Sequence, residues 1–352
     1  MKTVAVTGSS GYIGRKLLER LSADPAVARV IGIDVSEPRF STRNLEFYRM
    51  DVRAPELREV IAGCDAVVHL AAADGRGDSD TYDVNVAGTR AVLAAVEQAR
   101  PGQLVFASSH RVYGYHADND YPLTEDSPLR PSPADAYGTS KAEAERAVSY
   151  FAQAHPEVAV AILRLAWVGG PGLGASPAIE SPVRLAIRGY EPEVQAVHED
   201  DAAACFLFVL HNRLRGVFNV AADDRVVRLD GVFGQRRVTL DLARARRLLE
   251  SAGRLGGPGP RDLGPLLYPC VMSSERIRAA GFAFTRSTAQ TMAQSAAARR
   301  EWTALGPLRF RPRRAAAVAG TMGLVLVGEL FRRRPRRRLH RSLRRGPRPE
   351  RD

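Results

Sequence analysis

TVAVTGSSGYIG, residues 3–14, sets three glycines at positions 8, 11 and 14 directly behind a run of β-branched residues. The apolar run 3–7 reads as a buried strand, and a helical pattern follows from about Gly11. In such a strand-to-helix turn Gly8 permits the tight bend, Gly11 lets a phosphate approach the backbone, and Gly14 lets the helix pack closely on the sheet. The helix N-terminus then offers free N–H groups and a positive dipole end to a pyrophosphate. Glycine-rich turns also occur for purely structural reasons. Asp34 adds the discriminating feature. It ends the next apolar run twenty residues after Gly14, where a carboxylate accepts hydrogen bonds from an adenosine ribose. The same carboxylate repels a 2′-phosphate, which favours NAD over NADP.

Outward from this turn, short apolar runs alternate with helical patterns. Runs at 30–34, 45–50, 66–70, 104–108 and 158–165 read as strands, and helices are expected near 81–99 and 134–154. Such alternation predicts an α/β fold, a Rossmann-type doubly wound parallel sheet that binds ligands at the carboxyl ends of its strands. A chain of 352 residues with 45% hydrophobic content buries a sizeable core, which excludes a disordered protein. The N-terminus runs straight into a strand without the pattern of a signal peptide, so a cytoplasmic location is expected. Cys64, Cys205 and Cys270 are far apart and lack CxxC spacing, as expected of reduced core thiols rather than a metal or disulfide framework.

YGTSK, residues 137–141, places Tyr137 and Lys141 four positions apart and hence on one face of a helix. A phenol titrates near about 10 and is a poor base at neutral pH. A neighbouring ammonium and a positive nicotinamide ring both favour the phenolate. On its own the pair is also compatible with an exposed amphipathic face. Upstream, FASSHRVYG (106–114) brings Ser108 and Ser109 to a strand end, where a serine can hydrogen-bond a substrate oxygen. HLAAAD (69–74) offers small residues beside a flat cofactor, DVNVAGT (83–89) puts Asn85 in a helix, and Asp51 follows the third strand near an adenine. Each has an ordinary reading as a cap or turn residue. Their joint occurrence in this order favours a nucleotide site.

These segments, with LRLAWVGGPG (163–172), VHEDDAAA (197–204) and GVFNVA (216–221), resemble the extended short-chain dehydrogenase/reductases, the NAD-dependent epimerase/dehydratase family, over about residues 1–300. The resemblance implies a Rossmann domain over 1–165 and a small C-terminal substrate-binding lobe over 166–306 that returns segments to the core. A basic and apolar tail, 307–352, follows. It implies Tyr137 as acid/base, Lys141 as its tuner and ribose ligand, and Ser109 as the substrate-positioning hydroxyl. Gly8, Gly11, Tyr12, Ile13, Gly14, Asp34, Asp51, Val52, Leu70, Ala71, Ala72 and Asn85, with Tyr137 and Lys141, would line the NAD site. The chemistry implied is removal of a hydroxyl proton with hydride transfer to nicotinamide. A homodimer through the helices near 81–99 and 134–154 also follows.

Departures from the family pattern narrow the substrate. Sugar 4,6-dehydratases carry an acidic pair after the catalytic hydroxyl residue, where this chain has His110 and Arg111. Nucleotide-sugar enzymes tend to place an asparagine where Trp167 stands; Arg184 or Arg188 offers a compensating grip on phosphate, and the indole would equally suit an apolar ligand. Ser108, His110, Trp167 and Arg184 are therefore the substrate-contact candidates. His198, Asp200 and Asp201 read as a strand-to-helix junction rather than a metal site, and His116 and Asp118 as turn residues. VTLDLARARRLLESAG (238–253) reads as a helix. The expected function is an NAD-dependent nucleotide-sugar epimerase. A dehydrogenase of a lipid or sterol-like alcohol and a non-catalytic NAD sensor are the alternatives.

Net charge is +12, and residues 307–352 hold all of it, with fifteen arginines against three acidic residues; the first 306 residues balance at 36 basic and 36 acidic. Charge therefore informs only on the tail. Between its arginine clusters lie seventeen apolar-rich residues, 315–331. As a helix these would reach roughly 25 Å, short of a hydrocarbon core of about 30 Å. An anionic membrane surface, at the inner face of a membrane, is the partner that this composition suits. Docking on protein is the next reading, and nucleic acid is disfavoured because aromatic residues are not interleaved.

Overall fold

Central strands buried on both faces organise the molecule. The computed structural model describes residues 2–38, 41–73, 80–173, 183–226, 235–254, 262–300, 303–305 and 308–310. The first half runs β1 (Lys2–Thr7), α1 (Tyr12–Ala23), β2 (Val27–Asp34), β3 (Leu45–Arg49), α2 (Leu57–Val60), β4 (Ala66–His69), α3 (Asp80–Tyr82), α4 (Gly88–Ala99), β5 (Gln103–Ser109), α5 (Ala136–Ala154) and β6 (Ala159–Leu165). Later come β7 (Trp167–Gly169), β8 (Val183–Ile187), β9 (Ala196–His198), a helix Glu199–Asn212, β10 (Gly216–Val220), β11 (Arg236–Leu240) and helices Leu242–Arg254 and Thr288–Arg300.

Seven strands form one sheet in the order β10-β6-β5-β4-β1-β2-β3, each pair parallel. Val4 and Val6 face one side, with Leu17, Leu18 and Leu21 of α1 and Phe206 and Val209 of the Glu199–Asn212 helix. Ala5 faces the other, with Val92 and Val96 of α4 and Val148 and Phe151 of α5. The period-2 alternation of strands buried on both faces thus builds one core per face. The expected doubly wound sheet is the observed one.

Two local readings change. Between α3 and α4 the chain makes one π-helical turn, Asp83–Ala87, so the expected continuous helix carries an extra residue at the position of Asn85. Residues 238–240 are not helical. Val238 and Thr239 pair in parallel with Leu185 and Ala186, and the helix begins at Leu242, after Asp241 accepts the Arg244 N–H at 3.0 Å. Their β-branched side chains favour a strand as soon as a partner strand exists.

The chain divides into units Met1–Arg299 and Arg300–Asp352. In the second, β12 (Thr303–Leu305) and β13 (Leu308–Phe310) pair antiparallel. The arginine clusters after them and the 315–331 segment lie outside the described residues. Among the described residues no helix is long and apolar enough to cross a membrane.

Candidate active site

Strand order reverses between β1 and β4, and a crevice opens at such a switch point beyond the carboxyl ends of the two strands. Gly8 follows β1 at φ +70°, and a Cβ there would lie 2.5 Å from Ala71 N and 2.8 Å from the Leu70 carbonyl carbon. The two strand ends therefore touch through a residue that has to be glycine. A Cβ on Gly14 would meet Gly8 O at 2.2 Å and Ser9 O at 2.8 Å. The turn's own carbonyls, as well as helix packing, thus require the third glycine. Gly11 is exposed and caps α1 without any side-chain hydrogen bond or acidic residue in the first turn. Its leading N–H groups remain open to an anion. Ile13 packs against the core. Tyr12 lies beside Gly172, and burial and Glu199 push its phenol far above the usual range.

Asp34 closes the far wall. Its two oxygens accept the N–H groups of Ser10 and Ser36, each at 3.0 Å, which leaves lone pairs free for ribose hydroxyls. Asp51 lies two residues beyond β3 and is clasped by Arg53, whose Nε and Nη2 donate at 3.0 and 2.7 Å; that guanidinium holds its carboxyl below the usual range. Val52 is buried against Gly88, where a Cβ would come within 2.9 Å. Leu70 and Ala71 are partly covered and Ala72 is exposed.

Asn85 is buried and fully engaged. Its Oδ1 accepts the Ala73 N–H at 2.8 Å, and its Nδ2 donates to Ala73 O at 3.0 Å and Ser140 Oγ at 2.8 Å. It ties the end of β4 to α5 rather than facing the crevice. Sequence reading also passed over His69. Thr89 donates to Asn85 O at 2.6 Å, so His69 Nε2–H donates to Thr89 Oγ1 at 3.0 Å, and Nδ1 accepts from the Thr7 hydroxyl at 2.7 Å. Burial holds this imidazole down at about 3, so it stays neutral within the chain of hydrogen bonds that joins β1, β4 and α4.

The candidate reactive residues lie where β5 ends and where α5 starts. Asp135 caps α5 by accepting the Gly138 N–H at 2.9 Å, an interaction of about 1 kcal/mol. Tyr137 is the second residue of α5, and Lys141 lies one turn on. Lys141 is 3% exposed, and its Nζ stands 4.5 Å from the centre of the Phe106 ring. No hydrogen-bond acceptor among the described residues engages this ammonium, and burial holds it down to about 8. Ser109 Oγ accepts the Arg111 N–H at 3.3 Å, so its own O–H is free to donate.

Ser108 points the other way and donates to Glu145 Oε2 at 2.5 Å. His110 is also satisfied within the protein. Leu165 O can only accept, so Nδ1–H donates to it at 3.2 Å while Nε2 accepts from Tyr115 Oη at 3.0 Å. Burial lowers this imidazole to about 4. Trp167 packs with Ala196, Met292 and Ala296, and Arg184 lies on β8 opposite Arg237. His198 caps the Glu199–Asn212 helix by accepting the Asp200 N–H at 3.1 Å. His116 and Asp118 both engage Arg130.

Fold and site together define an α/β protein of the extended short-chain dehydrogenase/reductase class. The sequence profile of the NAD dependent epimerase/dehydratase family matches residues 4–221, and the chain belongs to that family. An uncharacterized protein of Mycobacterium tuberculosis is 32% identical over 235 residues, which span 63% of this chain and 62% of that relative. The chain thus matches under two thirds of the relative's length. The N-acetyl-alpha-D-glucosaminyl-diphospho-ditrans,octacis-undecaprenol 4-epimerase of Escherichia coli O157:H7 is 36% identical over 166 residues, 46% of this chain and 47% of the relative. The crystal structure of the dTDP-glucose 4,6-dehydratase DesIV from Streptomyces venezuelae, with NAD and TYD bound, superposes with a TM-score of 0.68 at 23% identity, covering 85% of this chain and 97% of that one. The family's cofactor is NAD. The residues present fit it: an uncapped helix N-terminus behind a glycine turn, a carboxylate at the β2 end, and a buried lysine whose ammonium takes no acceptor among the described residues.

Proposed function

We propose that the protein is an NAD-dependent epimerase acting on a secondary alcohol of a nucleotide-linked sugar. Buried Lys141, one turn after Tyr137 and without an acceptor among the described residues, is the observation that carries this reading, because a buried ammonium needs a hydrogen-bonding partner and the nicotinamide ribose supplies one. Tyr137 Oη takes the substrate hydroxyl proton and later returns it. Ser109 donates to the same substrate oxygen and fixes its position. When bound, the nicotinamide ring supplies a reversible hydride acceptor. Gly8, Gly11, Tyr12, Ile13 and Gly14 cradle the pyrophosphate, and Asp34 takes the adenosine ribose. Asp51 and Val52 flank the adenine, and Leu70, Ala71 and Ala72 line the crevice. Asn85 acts on that wall through Ala73.

Two observations favour a second reading. Trp167, in an apolar cluster beside β9, and the apolar stretch in the tail suit a dehydrogenase of a lipid-like alcohol. The tail itself we assign to an anionic membrane surface, on its arginine clusters around residues 315–331.

Purification without added nucleotide, denaturation and identification of the released cofactor separates the readings. Stoichiometric NAD with interconversion of UDP-sugars is expected for the epimerase. An empty site that binds NAD reversibly and oxidises apolar alcohols would replace that reading with the dehydrogenase. Retained NADP would contradict the role given to Asp34.

A further inference from the structure

Arg111 stands two residues after Ser109, on the short 3-10 turn His110–Tyr113 that closes β5. Its guanidinium carbon lies 5.1 Å from the centre of the Tyr137 ring. Asp135 grips the guanidinium with both oxygens, Nε donating at 2.7 Å and Nη2 at 2.5 Å. The Asp135 side chain is only 8% exposed, against 39% for Arg111. A bidentate pair of this kind fixes orientation as well as distance. The same carboxylate accepts the Gly138 N–H, so the clamp and the start of the helix that carries Tyr137 are one construction. It also explains the glycine in YGTSK: a Cβ on Gly138 would lie 2.7 Å from Asp135 Oδ2 and 2.9 Å from Arg111 O.

We propose that Arg111 is a second cation of the acid/base centre, held by Asp135 over the face of Tyr137 so that the phenolate form of that side chain is stabilised. The proposal rests on Tyr137 as the acid/base. A cation over an aromatic face is attracted by the ring quadrupole, and more strongly once the ring shares a full negative charge. Among the described residues, the charged groups on its own helix and on the turn after β5 that lie nearest Tyr137 in the chain are Lys141, Asp135 and Arg111, with Arg111 over its ring, while His110 on that turn is neutral. The negative charge of Asp135 is taken up by the Arg111 fork and the Gly138 N–H. Lys141 sits over Phe106, so the two cations approach the phenol from different elements.

The test reads Tyr137 directly, as the phenolate absorbance difference between the full chain and its Tyr137→Phe variant, titrated with NAD present. In the parent protein the transition is expected below the ordinary tyrosine value of about 10. Arg111→Met should move it up by about one unit, and Arg111→Lys by less. Asp135→Asn keeps an acceptor for the Gly138 N–H but removes the countercharge, and should move the transition down. A purely structural clamp would shift neither, and an unmoved transition in Arg111→Met, or in Asp135→Asn should the former not fold, overturns the proposal. An unmoved transition with weakened UDP binding would instead make Arg111 a substrate ligand. Turnover unchanged in Tyr137→Phe would remove the acid/base reading itself, independently of the titration.

Discussion

Lys141 shows how a single buried charge couples stability to function. Its ammonium is held down from 10.5 to about 8, chiefly by burial, so between those values the unfolded chain binds the proton more tightly than the folded one. The cost is fully present below about pH 8 and fades as pH rises towards 10.5. Lys141→Met is therefore expected to stabilise the cofactor-free protein by about 3 kcal/mol at neutral pH. Urea unfolding across pH should show that gain shrinking above pH 8, while NAD titration shows weakened binding. Destabilisation at neutral pH would contradict the picture. The YxxxK spacing makes Lys141 legible in the sequence, whereas the Phe106 ring beneath it is not. The family resemblance singles out Ser109 over Ser108, but the SS pair itself carries no local signal that separates them. Successive residues of a strand point to opposite faces, and only the placement of Glu145 reveals which serine is occupied.

At the level of elements, the pair Glu145–Arg164 locks α5 to β6. Arg164 Nε and Nη2 reach Glu145 Oε1 at 2.9 and 2.6 Å, and both side chains are nearly sealed from solvent. Arg164 Nη1 also donates to Tyr113 Oη at 2.6 Å and Glu125 O at 2.9 Å. Breaking one side strands a buried charge, so Glu145→Gln is expected to cost about 3–5 kcal/mol. The double variant Glu145→Leu with Arg164→Met should recover most of that loss in equilibrium unfolding. Failure of the double variant to recover would mean that the polar partners of Arg164, rather than its charge, dominate. Neither residue stood out in the sequence, because nineteen positions separate them and their pairing depends on how α5 crosses the sheet.

For the whole molecule, residues 1–306 balance in charge while residues 307–352 carry the entire excess. Full-length protein is expected to float with phosphatidylglycerol vesicles and not with phosphatidylcholine, and to lose that binding in high salt. A chain ended at residue 306 should stay behind. Equal flotation of the shortened chain would place the contact elsewhere. The composition of the tail made this reading available, while residues 311–352, which carry the apolar stretch and the arginine clusters, lie outside the described residues.

The sequence by itself determined the alternation of strands and helices, the glycine turn after β1, Asp34 at the end of β2, and the Tyr137–Lys141 pair. Each is a local pattern, written in periodicity or in the spacing of a few residues along one element. Tertiary structure decided the return of β10 beside β6, the contact of Gly8 with Ala71, the His69 chain, the Glu145–Arg164 lock and the seat of Arg111 over Tyr137. These join residues brought together from separate elements, and their partners are set by the order and facing of strands and helices, which no single stretch of sequence contains.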